Sequence, residues 1–527
     1  MADPADLPSL ASLLRDARCF PHPAANIEVV ETHISWVVLA GDYAYKIKKP
    51  VDLGFLDFST LAKRRAACED ELRLNRRLAP DLYLGVATVT GTPDAPRIDG
   101  TGDAIEYAVR MRRFDRAQEL DRLLAADALT AERIDELARR IARFHAEVPC
   151  ATPADPWGSA ATALANAAAN FEHVRRLEHA PGVAARIAAL ERWTHATQRR
   201  IATAMDERLR SGFVRECHGD LHLANMVLFE DRVVVFDCIE FNPALRWIDV
   251  MAEIAFTVMD LLHRGRRDLA QRFLNDYLEE TGDFAGLAVL RFYVVYRAMV
   301  RAKIAAIRAT QETAPAARAR DHADFLAHLA LAEDCARPAP PALVVTCGAS
   351  GSGKSFAARA LAGTGEWIRV RSDVERKRLV GLAAAERSGS GLGADLYAGS
   401  MTVRTYAQLA KAARIALDAG YPAVVDATFL SRRLRDAFRG LAAGLEVPFV
   451  VLVPQVSPAT MRARVEARAA AGGDPSEATV EVLERQLADA EPLAPDELPS
   501  VVQFDAEHAI DAQALAAAVA ARVAGGA

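Results

Sequence analysis

Leu343-Val344-Val345-Thr346-Cys347-Gly348-Ala349-Ser350-Gly351-Ser352-Gly353-Lys354-Ser355 joins a short apolar β-run to a glycine loop and the start of a helix. Glycines at these positions let backbone N–H groups converge on nucleotide phosphates, helped by the positive end of the helix. In that frame Gly348, Ala349, Ser350, Gly351, Ser352 and Gly353 form the cradle, Lys354 reaches the β- and γ-phosphates, and the Ser355 hydroxyl ligates Mg2+. Beyond the loop, strand-like and helix-like stretches alternate: WIRVRS, a helix from Val374, a long helix near 401–419, then PAVVDAT, PFVVLVP and VVQF. This alternation predicts an α/β P-loop NTPase with a parallel sheet over residues 343–527. Arg337-Pro-Ala-Pro-Pro341 stops the preceding helical region, roughly 251–334, and marks residues 337–342 as a Pro-rich linker.

Carboxylates near the loop turn a nucleotide site into a kinase site. Asp373, just past the second strand, is placed to accept a proton from an acceptor hydroxyl. Arg376, one turn later, can hold an anionic group of that acceptor. Asp426, closing the run PAVVD, is placed near metal or acceptor. Taken singly, each is also compatible with a helix cap or a surface charge. Arg462, Arg464 and Arg468 share a basic helix followed by Gly472-Gly-Asp-Pro475, and Arg468 is the preferred lid arginine. With GASGSGKS, Ser372-Asp373-Val374-Glu375-Arg376, Asp426-Ala427-Thr428 and the arginine-rich lid, residues 343–510 resemble the small P-loop kinases that include gluconate kinase and the polynucleotide 5′-hydroxyl kinases. In that family the first Asp is the acceptor base and the lid Arg meets the nucleotide.

A second constellation lies upstream. His218-Gly219-Asp220-Leu221-His222-Leu223-Ala224-Asn225 precedes an apolar run ending in Asp237. A catalytic loop of the protein-kinase type needs an Asp for the hydroxyl proton, an Asn for Mg2+, and a further Asp on the next hairpin to hold metal against the phosphates. Asp220, Asn225 and Asp237 fill these places in order. Lys46 has the strand setting of a phosphate-pairing lysine, with Lys48 on the same face as its rival. Glu71 on the next charged helix is the expected ion-pair partner, Glu69 the alternative. His33 and Ser35 fall where a phosphate-covering hairpin belongs, although no GxGxxG precedes the lysine. Strand-like IEVVE, HISWVVLA and DYAYKIKK, with a turn at Ala40-Gly41-Asp42, predict a small β-rich lobe before a larger helical one.

HGDLHLAN and Asp237 make residues 25–310 resemble the aminoglycoside phosphotransferase-like kinases, which phosphorylate hydroxyls of aminoglycosides, choline, sugars and other small metabolites. By that resemblance Asp249 is structural. The stretch 48–58 departs from the family pattern. The whole looks like a bacterial bifunctional protein of two domains. Its N-terminal domain (1–336) is a protein-kinase-like α+β bilobal fold, and its C-terminal domain (343–527) is the P-loop kinase. The implied cofactors are ATP and Mg2+, and the implied partners are small-molecule hydroxyl acceptors.

The totals agree with this organisation. A chain of 527 residues, 51% hydrophobic and 25% charged, exceeds one core and suits two or three domains. Its net charge of −6 gives no general reason to expect nucleic acid. Seven scattered cysteines without a CxxC pair argue against a disulfide framework or a zinc site. The opening MADPADLPSL lacks a signal pattern, and no apolar stretch is long enough to span a bilayer, so a cytoplasmic setting is expected. His145 is expected to be packed in a helix; Arg297, Arg301 and Lys303 follow aromatic residues on a helix and could reach an anionic acceptor, and a solvated face is the expectation. Against two active kinases stand a regulatory N-terminal nucleotide sensor, a nucleic-acid 5′-hydroxyl kinase, and a mechanical ATPase. A sensor does not need all of Asp220, Asn225 and Asp237. Asp373 and a short helical lid favour phosphoryl transfer to a small acceptor.

Overall fold

The structure, a computed structural model, describes residues 14–52, 54, 56–177, 181–338, 340–383, 386, 399–471 and 476–525. MADPADLPSL and Gly472–Pro475 lie outside them. Two compact units emerge, one of Met1–Arg133, Arg143–Ala163 and Asp206–Thr257, the other of Ile134–Ala142, Leu164–Met205 and Val258–Ala527.

In the first unit, strands β1 (Glu28–Glu31), β2 (Ser35–Ala40), β3 (Tyr43–Lys48), β4 (Tyr83–Thr92), β5 (Ala95–Ile98) and β6 (Ala104–Arg112) form an antiparallel sheet. The strand order is β1-β2-β3-β6-β4-β5. The β2–β3 hairpin closes on Gly41-Asp42, with Ala40 opposite Tyr43. Gly41 has φ +58°, and a Cβ there would lie 2.5 Å from the Pro23 carbonyl oxygen, so the turn requires glycine. Alternation along the strands sorts two cores. Trp36, Val38, Tyr45, Ile47, Val89 and Ile98 pack on one face. Ala44, Tyr83, Val109, Val227 and Val234 pack on the other, with Cys68 of helix α1 (Leu61–Asn75). The period of two therefore sends Lys46 and Lys48 to the face covered by α1.

Helix α1 starts on Thr60, whose hydroxyl accepts the Lys63 N–H. Arg64, Cys68, Glu71 and Asn75 recur at helical spacing and are all buried, so its inner face is largely polar and is satisfied by partners. Arg64 pairs with Glu106 at 2.8 Å, and the Cys238 N–H donates to Asn75 Oδ1 at 2.9 Å. Helices α2 (Leu120–Ala125), α3 (Ala131–Glu147), α4 (Ala160–Leu177) and α5 (Pro181–Arg210) follow. Two short antiparallel ribbons carry the catalytic-loop region: β7 (Val214–Glu216) with β10 (Trp247–Asp249), and β8 (Met226–Phe229) with β9 (Arg232–Val235). The β8–β9 turn is Glu230-Asp231, both at positive φ. Helix α6 (Val250–His263) follows β10 directly.

The second unit contains α7 (Arg267–Thr281), α8 (Leu287–Gln311) and α9 (Pro315–Cys335), then a five-stranded parallel sheet. The strands are β11 (Leu343–Thr346), β12 (Ile368–Arg371), β13 (Ala423–Asp426), β14 (Phe449–Gln455) and β15 (Val501–Asp505), in the order β12-β13-β11-β14-β15. Near-continuous apolar runs such as LVVT and AVVD, buried throughout, are what a sheet covered on both faces demands. Helices α10 (Lys354–Ala362), α11 (Ser372–Arg378), α12 (Gly399–Asp418), α13 (Arg432–Gly444), α14 (Pro458–Ala471), α15 (Val480–Ala488) and α16 (Ala512–Gly525) complete it. Val344, Leu361, Val424, Leu452, Val502 and Leu515 make its core. The N-terminal kinase-like α+β architecture and the C-terminal P-loop α/β architecture are thus as the sequence predicts.

All seven cysteines are free thiols. No helix of the described residues is long and apolar enough to cross a membrane. One expectation is overturned: Arg297 is buried rather than solvated, with its guanidinium beside the Tyr296 ring.

Candidate active sites

In the first unit, Lys46 and Lys48 share Glu71 and differ in their second partner. Lys46 Nζ lies 2.8 Å from Glu71 Oε1 and also pairs with Asp237. Lys48 takes the other Glu71 oxygen and pairs with Glu240. Two lysines and three carboxylates thus share one network, with Lys46 next to the carboxylate at the β9 end. Burial disfavours the charge on Lys46, but Asp237, Glu71 and Glu240 outweigh it and hold its pKa well above the usual range. Burial likewise opposes ionisation of Asp237, and Lys46 reverses this, leaving it below the ordinary carboxylate value. Glu69 instead pairs with Arg65 along the exposed side of α1.

The catalytic-loop residues are tied to one another. Asn225 Nδ2 donates to both Asp220 O and Asp220 Oδ2 at 3.0 Å. Gly219 has φ +89°, and a Cβ there would lie 2.8 Å from the Leu245 carbonyl. Glu253 of α6 accepts the His218 and Gly219 N–H groups at 2.6 and 2.9 Å. Asp237 itself sits at φ +63°, with its N–H donating to Tyr83 Oη at 3.2 Å. Asp249 pairs with Arg208 at 2.7 Å and accepts the Met251 N–H at 2.8 Å.

At the β1–β2 turn, Thr32 Oγ1 closes the loop by accepting the Ser35 N–H at 3.0 Å, in place of a glycine motif. Ser35 Oγ is buried without a hydrogen-bond partner among the described residues. The Phe236 N–H donates to Asn225 O at 2.9 Å, which brings Asn225 next to the residue before Asp237, and the hard oxygens of Asn225 and Asp237 fit Mg2+. A cavity of about 780 Å³ lies in the same unit, lined by Leu39, Gly41, Tyr43, Phe114 and the Arg112–Arg116 segment.

In the second unit, the glycine loop sits between β11 and α10, with Gly351 at φ +78° and Gly353 at φ +93°. Thr346 fixes its root: its hydroxyl donates to Ala427 O at 2.6 Å and accepts the Ala427 N–H at 3.1 Å. The Gly348 N–H donates to Thr428 O at 2.9 Å. These bonds hold the end of β13 beside the loop and so bring Asp426 to it.

A cavity of about 740 Å³ is lined by Ser350, Gly351, Gly353, Lys354 and Ser355 of the loop. Asp373, Arg376, Asp426, Arg464 and Arg468 also line it. Arg462, on the same helix as Arg464 and Arg468, pairs with Glu484 at 2.5 Å instead. Gly348, Ala349 and Ser352 of the loop do not line the cavity, and Ser352 Oγ is buried without a hydrogen-bond partner among the described residues. Lys354 Nζ donates to Ala349 O at 2.7 Å, folded back on its own loop.

Asp373 lies 3.2 Å from Arg376. Burial opposes its charge, but Arg376 and Arg371 prevail and hold it below the usual range, so it is a carboxylate at neutral pH. Arg371, Tyr406 and Glu240 are site neighbours that the sequence reading did not single out, whereas Thr428 belongs to the Asp426-Ala427-Thr428 strand end that it quoted. Tyr406 Oη lies 3.2 Å from Thr428 Oγ1 and accepts the Phe429 N–H at 3.1 Å.

Among the described residues, two other groups meet the distance requirement for a metal: His145, Cys217 and Glu253, and His263, Asp324 and His328. In the first, the Glu253 carboxylate is already taken by the two loop N–H groups. Around Asp324, the rings of His263 and His328 are stacked at 3.6 Å and only 9° from parallel. Their Nε2 lone pairs therefore do not converge on one ion.

Fold and sites together define an ATP-dependent kinase. Residues 55–293 match the phosphotransferase enzyme family, and residues 343–493 match an AAA domain. The chain belongs to one family with uncharacterized proteins of Mycobacterium tuberculosis H37Rv and Mycobacterium bovis. Each is 32% identical over 481 residues, covering 89% of this chain and 91% of the relative. Among solved structures, a sugar kinase of Janibacter aligns at 24% identity and TM-score 0.27, over 36% of this chain and 96% of its own. A choline/ethanolamine kinase family protein of Mesorhizobium loti aligns at 13% identity and TM-score 0.34, over 63% of this chain and all of its own (100%).

Proposed function

We propose that each of the two sites transfers the γ-phosphoryl group of ATP to a hydroxyl of a small-molecule acceptor, in a cytoplasmic protein. At the first site Asp220 takes the hydroxyl proton, and the acceptor oxygen forms its bond to the γ-phosphorus as the bridging P–O bond breaks to release ADP. Lys46, held by Glu71, positions the phosphates, while Asn225 and Asp237 hold the metal. At the second site Asp373 takes the proton, Arg376 anchors the acceptor, and Asp426 faces acceptor or metal. Lys354 and Arg468 meet the transferring charge, and Ser355 ligates the metal. Mg2+ supplies neutralisation of phosphate charge at both sites; the protein's own contribution is positioning and fixed charge.

The observation that carries this reading is the pairing of Lys46 with both Glu71 and Asp237, although 25 and 191 residues of sequence separate them. A nucleotide sensor does not require that assembly next to a hydrogen-bonded Asp220–Asn225 pair. The test is ATP consumption against aminoglycosides, sugars, sugar acids, nucleosides and 5′-hydroxyl oligonucleotides, in wild type, Asp220→Ala and Lys354→Ala. The expected result is that each substitution removes one acceptor-dependent activity and spares the other. Loss of both activities in either folded variant would rule out independent sites, and turnover only with oligonucleotides would replace the small acceptor at the second site.

A further inference from the structure

Strand β12 is an edge strand of the parallel sheet, and its sequence Ile368-Arg-Val-Arg371 is unusual for one whose four residues are all buried. The explanation is α7. Asn275 of that helix acts as a surrogate strand: its Nδ2 donates to Trp367 O at 3.0 Å, and its Oδ1 accepts the Arg369 N–H at 2.6 Å. The exposed edge of the sheet is thereby capped. One turn further along α7, Glu279 receives both strand arginines. Its Oε1 lies 2.6 Å from Arg369 Nη2, and its Oε2 lies 3.4 Å from Arg371 Nη1. Burial opposes the charge on Glu279, yet Arg369 and Arg371 keep it below the usual range.

Arg371 also reaches into the P-loop site: its Nε is 3.6 Å from Asp426 Oδ2, and the next two residues are Ser372 and Asp373. Its guanidinium is therefore divided between Glu279 on one side and a cavity carboxylate on the other. Without Glu279, two buried guanidinia two residues apart on one strand would have lost their shared counter-ion. Arg371 would then turn its full charge on Asp426 and Asp373, drawing Asp426 away from acceptor or metal and making Asp373 a poorer base.

We propose that Glu279 is a positioning residue of the P-loop kinase site, acting through Arg371 on Asp426 and Asp373. Helix α7 lies within the segment that matches the phosphotransferase enzyme family, so the acceptor side of the second site is set by a part of the chain outside the AAA-domain match. The proposal rests on the roles given above to Asp373 and Asp426.

The experiment uses the full chain carrying Asp220→Ala, so that turnover reports on the P-loop site alone. MgATP is supplied with the acceptor found in the panel, or with water if none is found, and a fluorescent ADP analogue measures nucleotide affinity. Glu279→Gln keeps the shape and removes the charge. It is expected to lower kcat about tenfold or more while nucleotide Kd changes less than about twofold, with Glu279→Asp recovering much of the loss. Glu279→Gln added to Arg371→Gln should cost little beyond Arg371→Gln alone, because both act through one contact. Unchanged kcat in Glu279→Gln, losses that multiply in the double variant, or equal loss of affinity and turnover would each overturn the proposal. Asp373→Asn and Lys354→Ala separate the two levels. If either leaves turnover unchanged, the reading of the P-loop site fails and takes this proposal with it. If both abolish turnover while Glu279→Gln does not lower it, the proposal alone fails.

Discussion

The imidazole of His218 donates from Nε2 to the carbonyl oxygen of Phe236 at 2.8 Å, tying the catalytic loop to the residue before Asp237. Its other nitrogen, Nδ1, accepts the Asp220 N–H at 3.3 Å. One neutral tautomer serves both bonds, and a protonated ring serves only the first, since Nδ1–H cannot accept. Burial is the main reason that the His218 pKa falls to about 4.

A pH dependence follows from this. The unfolded chain takes up the proton near pH 6.5 and the native ring only near 4, so the folded state binds fewer protons in between. Stability is therefore full above about pH 6.5 and falls as pH drops through that window, by about 1.4 kcal/mol per unit at most. His145 and His328, held to about 3 by burial, act in the same direction. The diagnostic quantity is therefore the difference between wild type and His218→Asn in melting temperature from pH 7 to pH 4. That difference should shrink as pH falls; a constant difference would show that His218 does not titrate in this range.

Lys46 and Lys48 share a strand face and a glutamate, but different losses are expected from them. Lys46→Met removes the cation beside Asp237 and should cut first-site turnover by about a hundredfold or more. Lys48 is fully buried, and its removal leaves Glu240, itself buried, without its counter-ion. Lys48→Met should therefore destabilise by about 3–5 kcal/mol. Lys48→Met combined with Glu240→Gln should regain most of that. Urea denaturation of the three variants checks this: a double variant no more stable than Lys48→Met would mean that Glu240 is not the group stranded.

The reach of the sequence is uneven for a physical reason. The glycine loop, the HGDLHLAN segment and the β-runs that present them are local patterns, so both fold classes could be read from short windows. The face shared by Lys46 and Lys48 was equally legible, because strand periodicity is local; which lysine meets Asp237 was not, because that depends on how the β9 end packs against β3. Glu240 and Glu279 were invisible for the same reason. Each is an acid in an unremarkable helix or loop context until a lysine 192 residues away, or an arginine 92 residues away, comes against it. Arg297 shows the opposite error: its helical spacing suggested a solvated face, and tertiary packing buried it.

Gly351 packs the glycine loop against α14. At φ +78°, an alanine Cβ there would lie 2.4 Å from the carbonyl oxygen of Met461, on α14, the helix that also presents Arg464 and Arg468. Backbone strain and the clash with a main-chain atom act together, and neither can be relieved by a side-chain rotation. Gly351→Ala is therefore expected to weaken nucleotide binding at the P-loop site by about tenfold or more, as the loop or α14 gives way. The first site, in the other compact unit, should keep its affinity. Gly440 provides the control: it lies within α13, and a Cβ there meets nothing within 4 Å. Gly440→Ala should stabilise the chain by about 0.5–1 kcal/mol with no change in either affinity. Nucleotide titrations of both variants decide the matter, with the P-loop site read in a Lys46→Met background and the first site read in a Lys354→Ala background. Full affinity in Gly351→Ala would mean that the contact with Met461 is not maintained when nucleotide binds.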